Sequence, residues 1–381
     1  MSFQADSIKH KTIYFPGLNG LRAIAAIAVV LSHTTLDLER FGLDPYIFGT
    51  FDDGKPQGLN LGGYGVSIFF VLSGFLITYL LQAEKDIQEI DIKKFYMRRI
   101  LRIWPLYYLY LIIAIAAILL FGFELRITSL LFYIFYAANI PFILQTGLTF
   151  VGHYWSLGVE EQFYIFWPYF NKKVKKNFCY KIIIAIVVLI GVKVALHFFY
   201  PGSILELAIH VTRFHCMLIG AVGAILYKEN NTLFLKLVNN KITQSIGWFI
   251  IFLVAINKFH IASIIDNEII CVVALVLIIG QITIKNRIIN LENNVFDFLG
   301  KISYGIYVIH PILIFLLARP LNAIQGNGLL KYLTVYFCIL GITIIVAYIS
   351  YNYFEKYFMN LKKKFVVVDS SPTRNSDIVS S

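Results

Sequence analysis

The sequence predicts an all-α integral membrane protein, a polytopic bundle of about ten transmembrane helices, and three observations carry that prediction. Its 381 residues are 58% hydrophobic and only 14% charged, where a soluble domain carries about a quarter charged residues. The mean hydropathy is +0.72, and the apolar runs are long enough for helices, without the short alternation of an outer-membrane barrel. Lys and Arg gather in short connections between these runs, as the positive-inside rule requires. The net charge of +11 is therefore topogenic and excludes no nucleic-acid-free function, so no nucleic-acid partner is expected.

Taken in order, spans are expected near 17–36, 61–82, 101–122, 153–170, 181–200, 205–227, 244–260, 263–284, 302–318 and 331–355. Only Ser129–Leu144 is ambiguous. The basic loops 83–99 and 171–181 belong on one side of the membrane, so an even number of crossings separates them. The runs 101–122 and 153–170 supply those crossings. The stretch 129–144 is then a short interfacial or re-entrant helix broken at Pro141, of a kind tolerated where protein or a water-filled cavity surrounds it. The basic loops 228–243 and 285–301 and the Lys362–Lys364 cluster fall in the cytoplasm, and the acidic loop 37–60 falls outside. This gives a cytoplasmic N-terminal tail (1–11), a membrane domain (12–358) and a polar, disordered cytoplasmic tail (359–381), with no cleavable leader. The four cysteines lack metal spacing and read as small core residues; no metal site is expected.

Within this apolar chain a few polar groups stand out. Arg22 and His33 share one face of the first helix and lie about 16 Å apart along its axis. Ionisable residues inside a span are expensive and point to function; the bland reading is a snorkelling arginine and a packed histidine. Arg98, Arg99 and Arg102 in FYMRRILRIWP stand at the mouth of the third span, where Arg98 and Arg102 can share a face and fork onto phosphate, or serve only as topogenic charge. GHYWSLGVEEQFYIFWP sets Trp155, Ser156 and Glu160 at the start of a span, as cavity groups or as a helix cap with an interfacial aromatic belt. GKISYGIYVIHPIL brings His310 into the membrane with Tyr304 and Tyr307 at helical spacings, and Arg213 lies inside the span 205–227. The glycines of LGGYGVSIFFVLSGFLIT, with Ser67 and Ser73, read as close-packing positions first and cavity groups second, and His197, His210, His215 and His260 show no consistent metal geometry.

These segments, LNGLRAIAAIAVVLSH, GVSIFFVLSGFLIT, FYMRRILRIWPLYYL, HYWSLGVEEQFYIFWP and GKISYGIYVIHPIL, together resemble the membrane-bound acyltransferase-3 family over roughly residues 12–358. The resemblance implies a bacterial inner-membrane O-acyltransferase moving an acyl group, acetyl above all, from acyl-CoA to a hydroxyl of a surface sugar or glycan precursor. It carries the family's arginine-ten-histidine motif onto Arg22 and His33, its arginine-arginine-x-x-arginine motif onto Arg98, Arg99 and Arg102, and its tryptophan-serine-leucine segment with a glutamate onto Trp155, Ser156 and Glu160. Under it His33 is the general base, directly or by way of a transient acyl-enzyme, Arg22 holds the donor or polarises the thioester carbonyl, and Glu160 orients His33 or the sugar hydroxyls. Arg98, Arg99 and Arg102 bind the CoA phosphates, while Ser156, Tyr304, His310 and Arg213 complete the cavity. Acyl-CoA and a glycan are the implied partners, with surface-polysaccharide assembly proteins beside them. The family's glutamate-x-proline ending is replaced by Glu355-Lys356-Tyr357, and the fused esterase-like domain of some members is not expected here. Two other classes also account for intramembrane polar groups: a transporter or flippase for a polar or lipid-linked substrate, and a structural or sensory bundle.

Overall fold

The computed structural model describes residues 11–50, 54, 56–174, 176–324 and 328–371. A short strand, β1 (Lys11–Tyr14), enters helix α1 (Leu18–Leu36) through Gly17, whose φ of 72° makes the turn. Two long helices follow, α2 (Asn60–Lys85) and α3 (Ile92–Leu120), the second opened by Asp91, which accepts the Lys94 N–H at 3.0 Å. Next come the short α4 (Ile127–Ile134) and α5 (Asn139–Ile143), then α6 (Tyr154–Lys173) and α7 (Phe178–Phe199). Helices α8 (Ile204–Thr212) and α9 (Phe214–Lys228) are two halves of one span, and α10 (Thr232–Val238) and α11 (Lys241–Ala255) bend by 51° at their junction. The chain closes with α12 (Asp266–Thr283), α13 (Asn294–Asn322), α14 (Leu329–Ser350), α15 (Lys356–Lys362) and β2 (Val368–Ser371).

The bundle is all-α and multi-pass. Among the described residues eight helical stretches are long and apolar enough to cross a membrane, or nine with the bent α10–α11 pair. The tenth expected span, 153–170, is helical as α6 but too polar to count with them, because Ser156, Glu160, Glu161 and Gln162 occupy its first half. Its polar face turns into the protein instead of toward lipid. Burial sorts the helices further. The spanning window of α1 is 72% buried and that of α7 only 11%, so α1 is an axis of the bundle and α7 a lipid-facing stave. Helix α1 packs between α2 and α13, and α2 in turn packs against α9. The α2–α9 approach needs glycine on both sides: a Cβ on Gly74 would fall 1.9 Å from the Met217 carbonyl oxygen, and one on Gly220 2.1 Å from that of Val71.

Three local expectations are corrected. The 129–144 stretch breaks not at Pro141 but before it, where Tyr136 takes a left-handed φ of 55°; Pro141 sits inside α5, where an early helical position does not need its missing N–H. The span 205–227 is interrupted at Arg213, also left-handed (φ 41°), with neither glycine nor proline to mark the break. Residues 359–371, expected as disordered tail, continue the fold. Without a proline after Glu355 the helix runs on through a π turn (Tyr351–Glu355) into α15, and β2 pairs in parallel with β1, Lys11 facing Val368 and Tyr14 facing Ser371. The expected N-terminal tail up to His10 and the last residues, 372–381, lie outside the described residues.

Candidate active site

Two cavities enter the bundle and meet. The first, with about 980 Å³ of empty space, is walled by α1, α2, α3, α6 and α13. Three arginines face it: Arg22 from α1, and Arg99 and Arg102 from α3. Arg22 Nη1 donates to Asn19 Oδ1 at 3.0 Å, and the Arg99 guanidinium lies over the Tyr164 and Phe95 rings at 5.8 and 5.9 Å. Buried Nε of Arg99 has no hydrogen-bond partner, and Arg102 has no hydrogen bond or ion pair among the described residues. One carboxylate answers them: Glu160, which lines the same cavity and accepts from the hydroxyls of Ser73 and Tyr164. Among the lining residues three guanidiniums thus face one carboxylate, with the carboxyls of Glu161 and Glu355 set beyond the lining near Arg99 and Arg102. Such a cavity favours an anionic ligand.

The second cavity, with about 2170 Å³ of empty space, takes its walls from α1, α2, α5, α6, α12 and the α8–α9 break. His33 stands on one wall and Trp155 and Arg213 on another. The Trp155 ring stacks on Phe142 (centroids 5.4 Å, planes at 29°), and the Arg213 guanidinium covers it at 5.5 Å. The left-handed turn at Arg213 is what points the side chain here. Its Nη1 donates to Ser67 Oγ at 3.1 Å and Asn267 Oδ1 at 3.3 Å, and its Nε to the His210 carbonyl at 2.8 Å. A flat aromatic face beside polar donors and acceptors suits a hydroxylated ring.

Val66 and Tyr307 line both cavities, so the two share a partition. The Tyr307 hydroxyl donates to the His153 carbonyl at 2.9 Å and lies 2.5 Å from Ser156 Oγ. Beside the partition His33 Nδ1 is 2.8 Å from His310 Nε2. The sequence-predicted residues thus divide. Arg22, Arg99, Arg102, Ser156, Glu160 and Tyr304 line the first cavity, and His33, Trp155 and Arg213 the second. Arg98 lines neither: it turns to Glu84 (3.0 Å) and to the Phe365 carbonyl (3.0 Å), tying α3 to the C-terminal segment. His310 is fully buried behind His33, and Glu160 faces the arginines, not His33. Tyr164 was not singled out from the sequence, although it stands one helical turn after Glu160 and could have been found by that spacing; Ser73 lines the first cavity and His153 the second. His210 and His260, which showed no pattern, also line the second cavity.

The chain belongs to the family described as the acyltransferase domain, which it matches over residues 15–352. It is 27% identical over 369 residues to the O-acetyltransferase OatA of Staphylococcus aureus strain NCTC 8325, covering 90% of this chain and 57% of that protein. A protein of strain COL named "Putative O-acetyltransferase" is 28% identical over 391 residues, covering 91% of this chain and 58% of its own. The chain thus spans little more than half the length of these relatives. No solved structure matches it.

Proposed function

We propose that this protein transfers an acetyl group from acetyl-CoA to a hydroxyl of a sugar in a cell-surface glycan or glycan precursor. One observation carries the reading: a cavity lined by three arginines and one carboxylate abuts a cavity that holds a histidine and an aromatic wall. CoA brings a pyrophosphate and a ribose phosphate, which Arg22, Arg99 and Arg102 would bind through charge-assisted forks, with Glu160 ordering the arginines. The thioester end would reach the Tyr307 partition. The sugar would lie along the aromatic wall that Trp155 and Phe142 form, beside Arg213. His33 takes the proton of the acceptor hydroxyl as its oxygen attacks the thioester carbonyl; collapse of the adduct breaks the C–S bond, and the CoA thiolate recovers the proton from His33. The basic loops support a bacterial inner-membrane topology with both termini and the arginine cavity toward the cytoplasm, where CoA is found. Surface-polysaccharide assembly proteins are the partners this reading implies.

Mass spectrometry of surface glycans tests it. Cells carrying the protein should show an O-acetyl mass that disappears with His33→Ala at unchanged membrane abundance. Joined cavities also suit a transporter; flux of a glycan through proteoliposomes, with no acetyl transfer, would favour that reading instead.

A further inference from the structure

The histidine pair contains information that neither residue carries alone. His310 sits on α13 one residue before Pro311, and its Nδ1 lies 3.2 Å from the Ile306 carbonyl. Pro311 has no N–H, so the Tyr307 carbonyl one turn back is left without its helical donor. Carbonyls only accept. In neutral His310 the proton must therefore be on Nδ1, and Nε2 carries a lone pair. That lone pair faces His33 Nδ1 at 2.8 Å, so His33 is the donor in this contact and its own proton is on Nδ1. Nε2 of His33 is left as the basic nitrogen. It has no hydrogen-bond partner among the described residues, and His33 lines the second cavity. His153, the third ring in the cluster, cannot compete: its Nε2 is 3.1 Å from the Val308 carbonyl, which fixes its proton there, and its buried Nδ1 has only a lone pair.

We propose that His310 is a positioning residue that fixes the tautomer and ring orientation of His33 through the chain Ile306 carbonyl, His310, His33, so that the basic Nε2 points at the acceptor hydroxyl. The part played elsewhere by a carboxylate behind a histidine base is here played by a second, neutral imidazole anchored to a helix carbonyl. A neutral partner suits the site: no anion has to be held beside His33, and His310 is fully enclosed. During transfer the proton comes from the acceptor hydroxyl to His33 Nε2 and leaves to the thiolate; His310 neither gains nor loses one. The inference rests on His33 being the base.

The test compares His310→Gln with His310→Asn in the full-length protein, assayed in proteoliposomes with acetyl-CoA and a soluble glycan acceptor. Glutamine can present its side-chain oxygen near the place of Nε2, whereas asparagine reaches only the place of Nδ1. The Gln variant should retain kcat within about fivefold of the parent. The Asn variant should lose about 100-fold or more in kcat with KM for acetyl-CoA unchanged, in line with the cost of a wrong tautomer in other histidine bases. Thermal unfolding in detergent should be alike for the two polar variants. Equal kcat for Gln and Asn, whether high or low, overturns the inference. Full activity in His33→Ala overturns instead the reading on which it rests.

Discussion

The sharpest consequence of the arginine geometry is that adjacent cations in one motif should behave differently. Arg102 faces the first cavity without a partner, whereas Arg98 is committed to Glu84 and the Phe365 carbonyl. Removing the Arg102 guanidinium takes away one of the three positive charges that line the cavity and a fork for a phosphate. A hydrogen bond to a charged group contributes about 1.5–3 kcal/mol. At about 1.4 kcal/mol per tenfold, Arg102→Ala should raise the KM for acetyl-CoA by about 10- to 150-fold and flatten its dependence on ionic strength. Arg98→Ala strands Glu84, whose side chain is 1% exposed, and so should lower stability by about 1–3 kcal/mol while changing that KM by less than about threefold. Steady-state kinetics in proteoliposomes, with thermal unfolding of the same preparations, measures both. Equal rises in KM for the two variants would refute the division of labour, as would an unchanged KM in Arg102→Ala.

Other perturbations follow from the same contacts. Trp155→Ala removes the aromatic wall of the second cavity and the ring that Arg213 rests on, and should raise KM for the acceptor by about 3- to 10-fold, leaving that for acetyl-CoA alone, as initial-rate kinetics in each substrate will tell. Tyr307→Phe deletes the hydroxyl that joins Ser156 to the His153 carbonyl at the partition; kcat should fall about tenfold with CoA binding by calorimetry unchanged. Lys193 and His215 both reach Glu268, at 2.7 and 3.0 Å, in a buried cluster between α7, α9 and α12, so Lys193→Met should destabilise the bundle by about 3 kcal/mol in thermal unfolding.

The comparison of sequence and structure shows which kinds of information are local. Arg22 and His33 were legible because an ionisable residue in an apolar run is costly enough to need a reason, and their common helix face followed from periodicity alone. Which of Arg98, Arg99 and Arg102 turns inward was not legible. That choice depends on Glu84, which lies on α2, and on a C-terminal backbone carbonyl more than 260 residues away in the chain. The His33–His310 contact, with |i−j| of 277, is likewise a product of α1 and α13 packing side by side. The break at Arg213 carries no glycine or proline to announce it, and Pro141 drew attention from the true turn at Tyr136. In the tail, the Val366–Val368 run did carry a strand signal, outweighed by its polar flanks; its partner strand near the other terminus was beyond any local pattern.

The central claim is that the donor occupies the arginine cavity and the acceptor the histidine cavity, with the acyl group crossing at Tyr307. A structure of the protein with CoA bound in lipid nanodiscs tests it most directly. The account predicts CoA phosphates within hydrogen-bond reach of Arg99 and Arg102 and the thiol directed to Tyr307. CoA bound in the second cavity, or phosphates held by Arg98 in place of Arg99 and Arg102, would contradict it.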